Sequence, residues 1–334
     1  MTIRPEVDIG LFSKRTVLTG AGWTRNWGGQ LATEIWQHLM SSHAIQGRAS
    51  VRQLLLEEPS FEAALGKLQA APFHAEDRQI VELALMGVFI EMDGEIATVH
   101  DPWINIYKVQ DLLFRFWGQR GDRVNAGYMF TLNQDLWPER RLYNQHVLGA
   151  AAPTLPGLQR RANQRLFETD LGRYNDGFIM QPLSDPSAPL QLRGGFNVIK
   201  LHGSFNWRTQ DGRNAMIVGM EKTAQIGAFP LLAAYWQIFR AVLQAGEVRL
   251  MVVGYGFGDE HVNAVIADAV ENHGLRLFIW DTAPNLMDRV RAAPHGDRIW
   301  KGVLSTTSRS MIEVFPSNQA ETAEYRRILA TVFG

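Results

Sequence analysis

The sequence contains no cysteine. That excludes disulfide bonds, thiolate nucleophiles and any zinc module built on cysteine ligands. It has no excess of either charge: 33 Lys and Arg stand against 34 Asp and Glu in 334 residues, a formal net charge of −1. The basic stripe of a nonspecific nucleic-acid binder is missing, so no direct nucleic-acid partner is expected. No uncharged apolar run approaches the roughly 20 residues that cross a bilayer. Met1–Asp8 carries no basic-then-apolar leader, so a cytoplasmic protein without a membrane partner is expected. What is present is a composition of 46% hydrophobic and 20% charged residues, enough for a substantial core. A single domain over residues 1–334, interrupted by two insertions, is expected.

The first organised stretch is Arg15-Thr16-Val17-Leu18-Thr19, a β-branched strand running into Gly20-Ala21-Gly22-Trp23-Thr24. A helix follows from roughly Gln30 to Met40, with Leu31, Ile35, Trp36 and Leu39 at helical spacing. Strand, small-residue turn and helix N-terminus together make an anion-binding device, with backbone N–H groups pointing outward. Arg25 stands where a G-x-G-x-x-G fingerprint would place its third glycine, so a plain tight turn is the alternative. Residues 42–126 read as a helical insertion, with helices at Leu54–Leu56, Phe61–Leu68, Ile80–Ile90 and Leu112–Trp117. Within it, Met92-Asp93-Gly94-Glu95 is expected to close a helix or form a short hairpin. Tyr128–Leu132 resumes the sheet and ends at Asn133-Gln134-Asp135. These polar side chains suit either the hydroxyls of a sugar or local turn and cap chemistry. Residues 137–195, punctuated by Ala151-Ala152-Pro153, Gln181–Pro186 and Gly194-Gly195, are irregular and fit a linker, a small module or an interface arm.

The strand Val198–Leu201 stops abruptly at His202-Gly203-Ser204. A titratable side chain at a strand end of an open α/β sheet lies where ligands bind, although a hydrogen-bonded structural histidine is the alternative. A helix is expected from Pro230 to Ala245, then a buried strand Val248–Val253 ending in Gly254-Tyr255-Gly256-Phe257-Gly258-Asp259. Asp259 is expected to cap the helix that carries His261 and Asn263. Leu275–Trp280 forms a fifth strand ending at Asp281, which suits a ribose hydroxyl or a helix cap. A final strand near Met311–Phe315 and a helix from about Ala320 to Phe333 close the chain. Repeated βα alternation predicts an α/β fold with a Rossmann-like, doubly wound parallel sheet whose strand ends face one crevice. Two glycine turns at that crevice suit a ligand with a diphosphate and two sugars.

Gly20-Ala21-Gly22 after a strand, Thr131-x-Asn133-x-Asp135, Lys200-Leu201-His202-Gly203-Ser204 and Gly254-Tyr255-Gly256-Phe257-x-Asp259-x-His261-x-Asn263 occur in that order. Together, over residues 15–285, they resemble the sirtuin-like family in its prokaryotic antiphage-defence branch. The resemblance implies an NAD+-binding domain that cleaves the bond between nicotinamide and ribose, with no metal required. His202 matches the catalytic histidine near the nicotinamide ribose, Asn133 the asparagine that positions water or ribose, and Asp135 the acid of the same motif. Gly20, Ala21, Gly22 and Thr24 match the diphosphate turn, Gly254 and Tyr255 the second cofactor loop, and Asp281 the adenosine side. The chain departs from sirtuin deacetylases in having no zinc ribbon, and its first loop continues as Trp23–Gly29 in place of a Pro-Asp-Phe-Arg-like segment. Hydrolysis of free NAD+ to nicotinamide and ADP-ribose is therefore expected over deacylation, with a proton relayed by a histidine of near-neutral pKa. A non-catalytic sensor of NAD+ or ADP-ribose is the alternative. The compact members of that branch are effectors paired with HerA-like hexameric ATPases, which implies a homo-oligomer bound to such a ring and a role in abortive infection.

Overall fold

The computed structural model describes residues 7–68, 72–98, 102–117, 125–142, 153–165, 178–183, 190–192, 194–219, 221–319 and 321–334. Among these residues ten strands form two sheets: β1 Arg15–Thr19, β2 Gly127–Thr131, β3 Leu158–Arg165, β4 Phe178–Pro182, β5 Phe196–Lys200, β6 Gly203–Arg208, β7 Asn214–Met216, β8 Arg249–Val253, β9 Arg276–Trp280 and β10 Val303–Thr307. The main sheet has six strands in the order β10-β9-β8-β1-β2-β5, and every neighbouring pair is parallel. Apart from the edge strand β10, its strands are almost wholly buried and rich in Val, Ile, Leu and Phe, as a sheet covered on both faces requires. Side chains alternate between the faces. Val17, Met129, Val198 and Met251 pack with the helices inserted between β1 and β2; Leu18, Phe130, Ile199 and Val252 pack with helices Pro230–Leu243 and Glu260–His273. This is a Rossmann-like α/β fold. The order in which strands are added reverses between β1 and β8, and a crevice opens at such a switch point beyond the carboxyl ends of the strands.

Between β1 and β2 the described chain contains helices only, the longest being Ala75–Thr98. The turn expected at Met92–Glu95 does not exist; these residues lie inside that helix. Asp-Gly favours a turn locally, but Asp93 is fully buried and paired to Arg140, with Nε–Oδ1 at 3.0 Å and Nη2–Oδ2 at 2.5 Å. A buried carboxylate without its cation is costly, so the tertiary pair overrides the local preference. Arg140 belongs to the short helix Trp137–Arg141 after β2, so this pair ties the insertion to the sheet.

The second, four-stranded sheet is β3-β4-β6-β7; a small module is one expectation for the stretch that holds β3 and β4, whereas no strand is expected at β6 and β7. The sheet draws β3 and β4 from the stretch read as irregular; Ala151-Ala152 and Ser184-Asp185-Pro186 of that stretch lie outside the described residues, as does Met1–Glu6. The last strand of the main sheet is Val303–Thr307, and Met311–Val314, expected to be a strand, is a helical turn. Ser310 and Glu313 form a capping box that starts this turn. Val303–Thr307 carries no apolar strand pattern because it is a half-exposed edge strand of mostly Ser and Thr. Among the described residues no single helix is long and apolar enough to cross a membrane.

Candidate active site

The strand ends surround a cleft of about 660 Å³ at the switch point. Gly20, Ala21, Gly22, Asn133, Asp135, His202, Gly254, Tyr255 and Asp281 all line it, while Thr24 is buried just behind it. The insertion supplies the facing wall through Phe61, Glu62, Phe89 and Met92. A volume of this size suits a dinucleotide-sized ligand.

The two glycine turns pack on each other. Gly20 N–H donates to Val253 O and Gly22 N–H to Gly254 O, both at 3.0 Å. Gly254 has φ of +62°, and a Cβ there would lie 2.4 Å from Trp23 N and 2.5 Å from Gly22 C. The outward-pointing amides expected of the first turn are therefore largely absent, because two of them bind the neighbouring turn. The glycines serve close approach of β1 to β8. Behind the turn, Trp23, Trp27 and Trp137 pack in tilted and edge-on contacts at centroid separations of 5.0 to 5.5 Å and form core. Arg25, the residue that breaks the glycine fingerprint, places a guanidinium on the cleft wall, paired with Glu34.

Asn133 is held in one orientation. Its Nδ2 donates to Gly20 O at 3.0 Å and to Thr24 Oγ1 at 3.3 Å. A backbone carbonyl only accepts, so the amide nitrogen must face it. Oδ1 accepts nothing among the described residues and is the atom left for the cleft. Asp135 takes part indirectly: it accepts Trp137 N–H at 2.9 Å and hydrogen-bonds Thr24. It is buried, and burial pushes its pKa up to about 6 against the pull of Lys200. Its place is beneath the site, holding Thr24 and the helix after β2. The fully buried Lys200 contacts Glu139 Oε1 and Ser204 Oγ at 2.8 Å each and so ties the ends of β2 and β5 together.

His202 sits where the chain leaves β5 for β6 of the second sheet. The elbow depends on Gly203, whose φ is +73° and whose Cβ would lie 1.9 Å from Ala215 O. Ile217 N–H donates to His202 O, and the Trp236 indole donates to Leu201 O. His202 Nε2 lies 3.0 Å from His261 Nε2. Burial pushes the His202 pKa down to about 3, well below the near-neutral value expected, with Asp259 opposing that shift and Lys222 and His261 adding to it. Burial lowers the His261 pKa as well.

Asp259 occupies the N-cap position of helix Glu260–His273 but makes no side-chain cap bond, contrary to expectation. Its carboxylate faces Lys222 Nζ at 2.6 Å, and Lys222 also reaches Glu62 at 2.9 Å. Burial works against that carboxylate, and the electrostatic pull of the two imidazoles and of the Lys222 ammonium outweighs it to hold its pKa below the usual range. Tyr255 closes its own loop: its hydroxyl lies 3.0 Å from Asn263 Oδ1 and accepts Asp259 N–H at 3.1 Å. Asp281 accepts Ala283 N–H at 2.8 Å and lies 3.9 Å from Arg289 at the open end of the cleft. Lys222, Glu62, Arg289 and the insertion side chains carried no motif in the sequence. Only the fold brings them to the strand ends.

No curated protein matches the chain. A family model described as a SIR2-like domain matches residues 166–301, which hold β5, His202, the Gly254 turn, Asp259, His261 and Asp281. Over that stretch the chain is similar to SIR2-like domains, and the match, on this Rossmann-like sheet, supports a sirtuin-like family with an NAD-related function.

Proposed function

We propose that the protein is an NAD+ glycohydrolase that releases nicotinamide and ADP-ribose. The observation that carries this reading is Asn133, whose amide nitrogen is bound to Gly20 O and Thr24 and whose Oδ1 is left for the cleft that His202 also lines. NAD+ lies across the switch point, with its adenosine end towards Asp281 and Arg289 and its nicotinamide ribose between Asn133 and His202. Arg25 and Arg289 supply positive charge along the path of the diphosphate.

The positively charged nicotinamide departs with the bonding electrons as a neutral pyridine, leaving an oxocarbenium-like ribose. Asn133 Oδ1 accepts a hydrogen bond from the attacking water and fixes its approach to the anomeric carbon. Oxygen–carbon bond formation makes that water strongly acidic, so a weak base is sufficient. A neutral imidazole with a pKa near 3 fits this task, and the His202–His261 pair takes up the proton. Water adds, nicotinamide leaves and one proton is released, which balances the reaction. The roof of Phe61, Phe89 and Met92 limits access of bulk water.

The resemblance extends this reading to a cytoplasmic homo-oligomer working with a HerA-like hexameric ATPase and depleting NAD+ in abortive antiphage defence. The experiment is product analysis on the purified protein with NAD+, alone and with such an ATPase. Equimolar nicotinamide and ADP-ribose support the hydrolase. Saturable NAD+ binding without nicotinamide release in either condition assigns the cleft to a sensor instead.

A further inference from the structure

His202 and His261 make one side of a converging group of three. With Asp259 they bring one ligand atom each to within 4.8 Å of one another. Their positions come from distant parts of the chain. His202 stands on the elbow between β5 and β6, whereas Asp259 and His261 flank the first residue of helix Glu260–His273. Trp236 lies against both rings, at centroid distances of 6.4 Å and 4.9 Å, and forms an apolar backing. His202 also hydrogen-bonds the backbone of Leu132, the kind of outer contact that orients imidazole ligands around metals.

We propose that His202 Nε2, His261 Nε2 and one carboxylate oxygen of Asp259 form a binding site for a divalent transition-metal ion of the zinc class. Bond lengths of about 2.0–2.1 Å in a tetrahedral site separate two nitrogen ligands by roughly 3.3 Å. The two Nε2 atoms, now 3.0 Å apart, need to open by only a few tenths of an ångström. The donor set of two imidazoles and one carboxylate suits zinc, cobalt and nickel better than magnesium or calcium. Three protein ligands leave a fourth position for water.

Lys222 tunes the site. Its ammonium lies 2.6 Å from Asp259 Oδ1 and 2.9 Å from Glu62 Oε1. The metal takes the other Asp259 oxygen, and Lys222 stays anchored on Glu62. A positive charge so close weakens metal binding, which suits an ion that comes and goes more than one bound permanently. Binding occupies the His202 nitrogen and so turns off the cleft; that consequence alone rests on the NAD+ hydrolase reading.

The test titrates tag-free, chelator-treated full-length protein with Co2+ without NAD+, following visible d–d absorption, and with Zn2+ by calorimetry. One ion per chain is expected, with the intense spectrum of four-coordinate Co2+. His261→Ala and His261→Gln both remove it, and circular dichroism confirms that at least one remains folded. Asp259→Asn weakens binding by about tenfold or more, and Lys222→Met strengthens it by about tenfold. No binding to the wild type, or binding unchanged in the folded His261 and Asp259 variants, overturns the proposal. Because NAD+ is absent, either result stands whatever the fate of the hydrolase reading.

Discussion

Asn133 donates its side-chain N–H to the carbonyl of Gly20, 113 positions away in the chain, at 3.0 Å. One bond thereby joins the end of β2 to the turn after β1 and decides which atom of the amide faces the cleft. Asn133→Ala removes the cleft-facing oxygen, and NAD+ cleavage is expected to fall by about 10²–10³-fold, the usual effect of losing one oriented polar contact at a reacting centre. Asn133→Asp is expected to be as inactive, because a carboxylate cannot donate to Gly20 O. Initial-rate measurement of nicotinamide release checks both.

The pKa shifts at the site predict opposite effects on stability. Asp135 has a native pKa near 6, above its unfolded value, so the folded state holds its proton longer and stability falls as pH rises from about 4 to 6. His202 has a native pKa near 3, below its unfolded value, so stability is lost as pH falls below about 6.5. Thermal unfolding of Asp135→Asn and His202→Gln against wild type from pH 4 to 7 checks both signs. The Asp135 variant gains relative to wild type towards pH 7, and the His202 variant gains towards pH 4. Activity should accordingly show no ionisation of His202 between pH 5 and 8.

Gly254 and Gly256 lie in the same loop and should respond differently. At Gly254 a side chain meets backbone atoms of Gly22 and Trp23, whereas at Gly256 the nearest atom is Arg289 Nη2 at 3.5 Å. Gly254→Ala is expected to destabilise by on the order of 3 kcal/mol and Gly256→Ala by less than about 0.5 kcal/mol, as denaturant titration will show.

The Asp93–Arg140 pair predicts a non-additive pattern. Arg140→Met takes the cation away from the fully buried Asp93 carboxylate and should cost about 3–5 kcal/mol, Asp93→Ala removes one partner of Arg140 and should also destabilise, and Asp93→Leu with Arg140→Met should recover most of the larger loss. Urea unfolding of the four proteins reads the difference directly.

Much of this architecture was legible in the chain. The main strands are short apolar runs ending in glycine or polar residues, and those ends mark the crevice because parallel strands all finish on the same side. What was hidden depends on partners distant in sequence. Asp93-Gly94 reads as a turn until Arg140 is placed beside it. Val303–Thr307 lacks an apolar run because an edge strand has one wet side. Asp259 reads as a cap until Lys222 approaches its carboxylate. The pKa of His202 is set by burial under Trp236 and the second sheet, which no spacing of residues reveals.

The most direct test of the account is nicotinamide release from NAD+ measured side by side for wild type, Asn133→Ala and His202→Ala, each alone and with the proposed HerA-like ATPase partner. The account predicts release by wild type, a loss of about 100-fold or more in each variant, and NAD+ affinity retained within about tenfold in both. Release that persists undiminished in both variants, or a wild type that binds NAD+ and never releases nicotinamide, would contradict it.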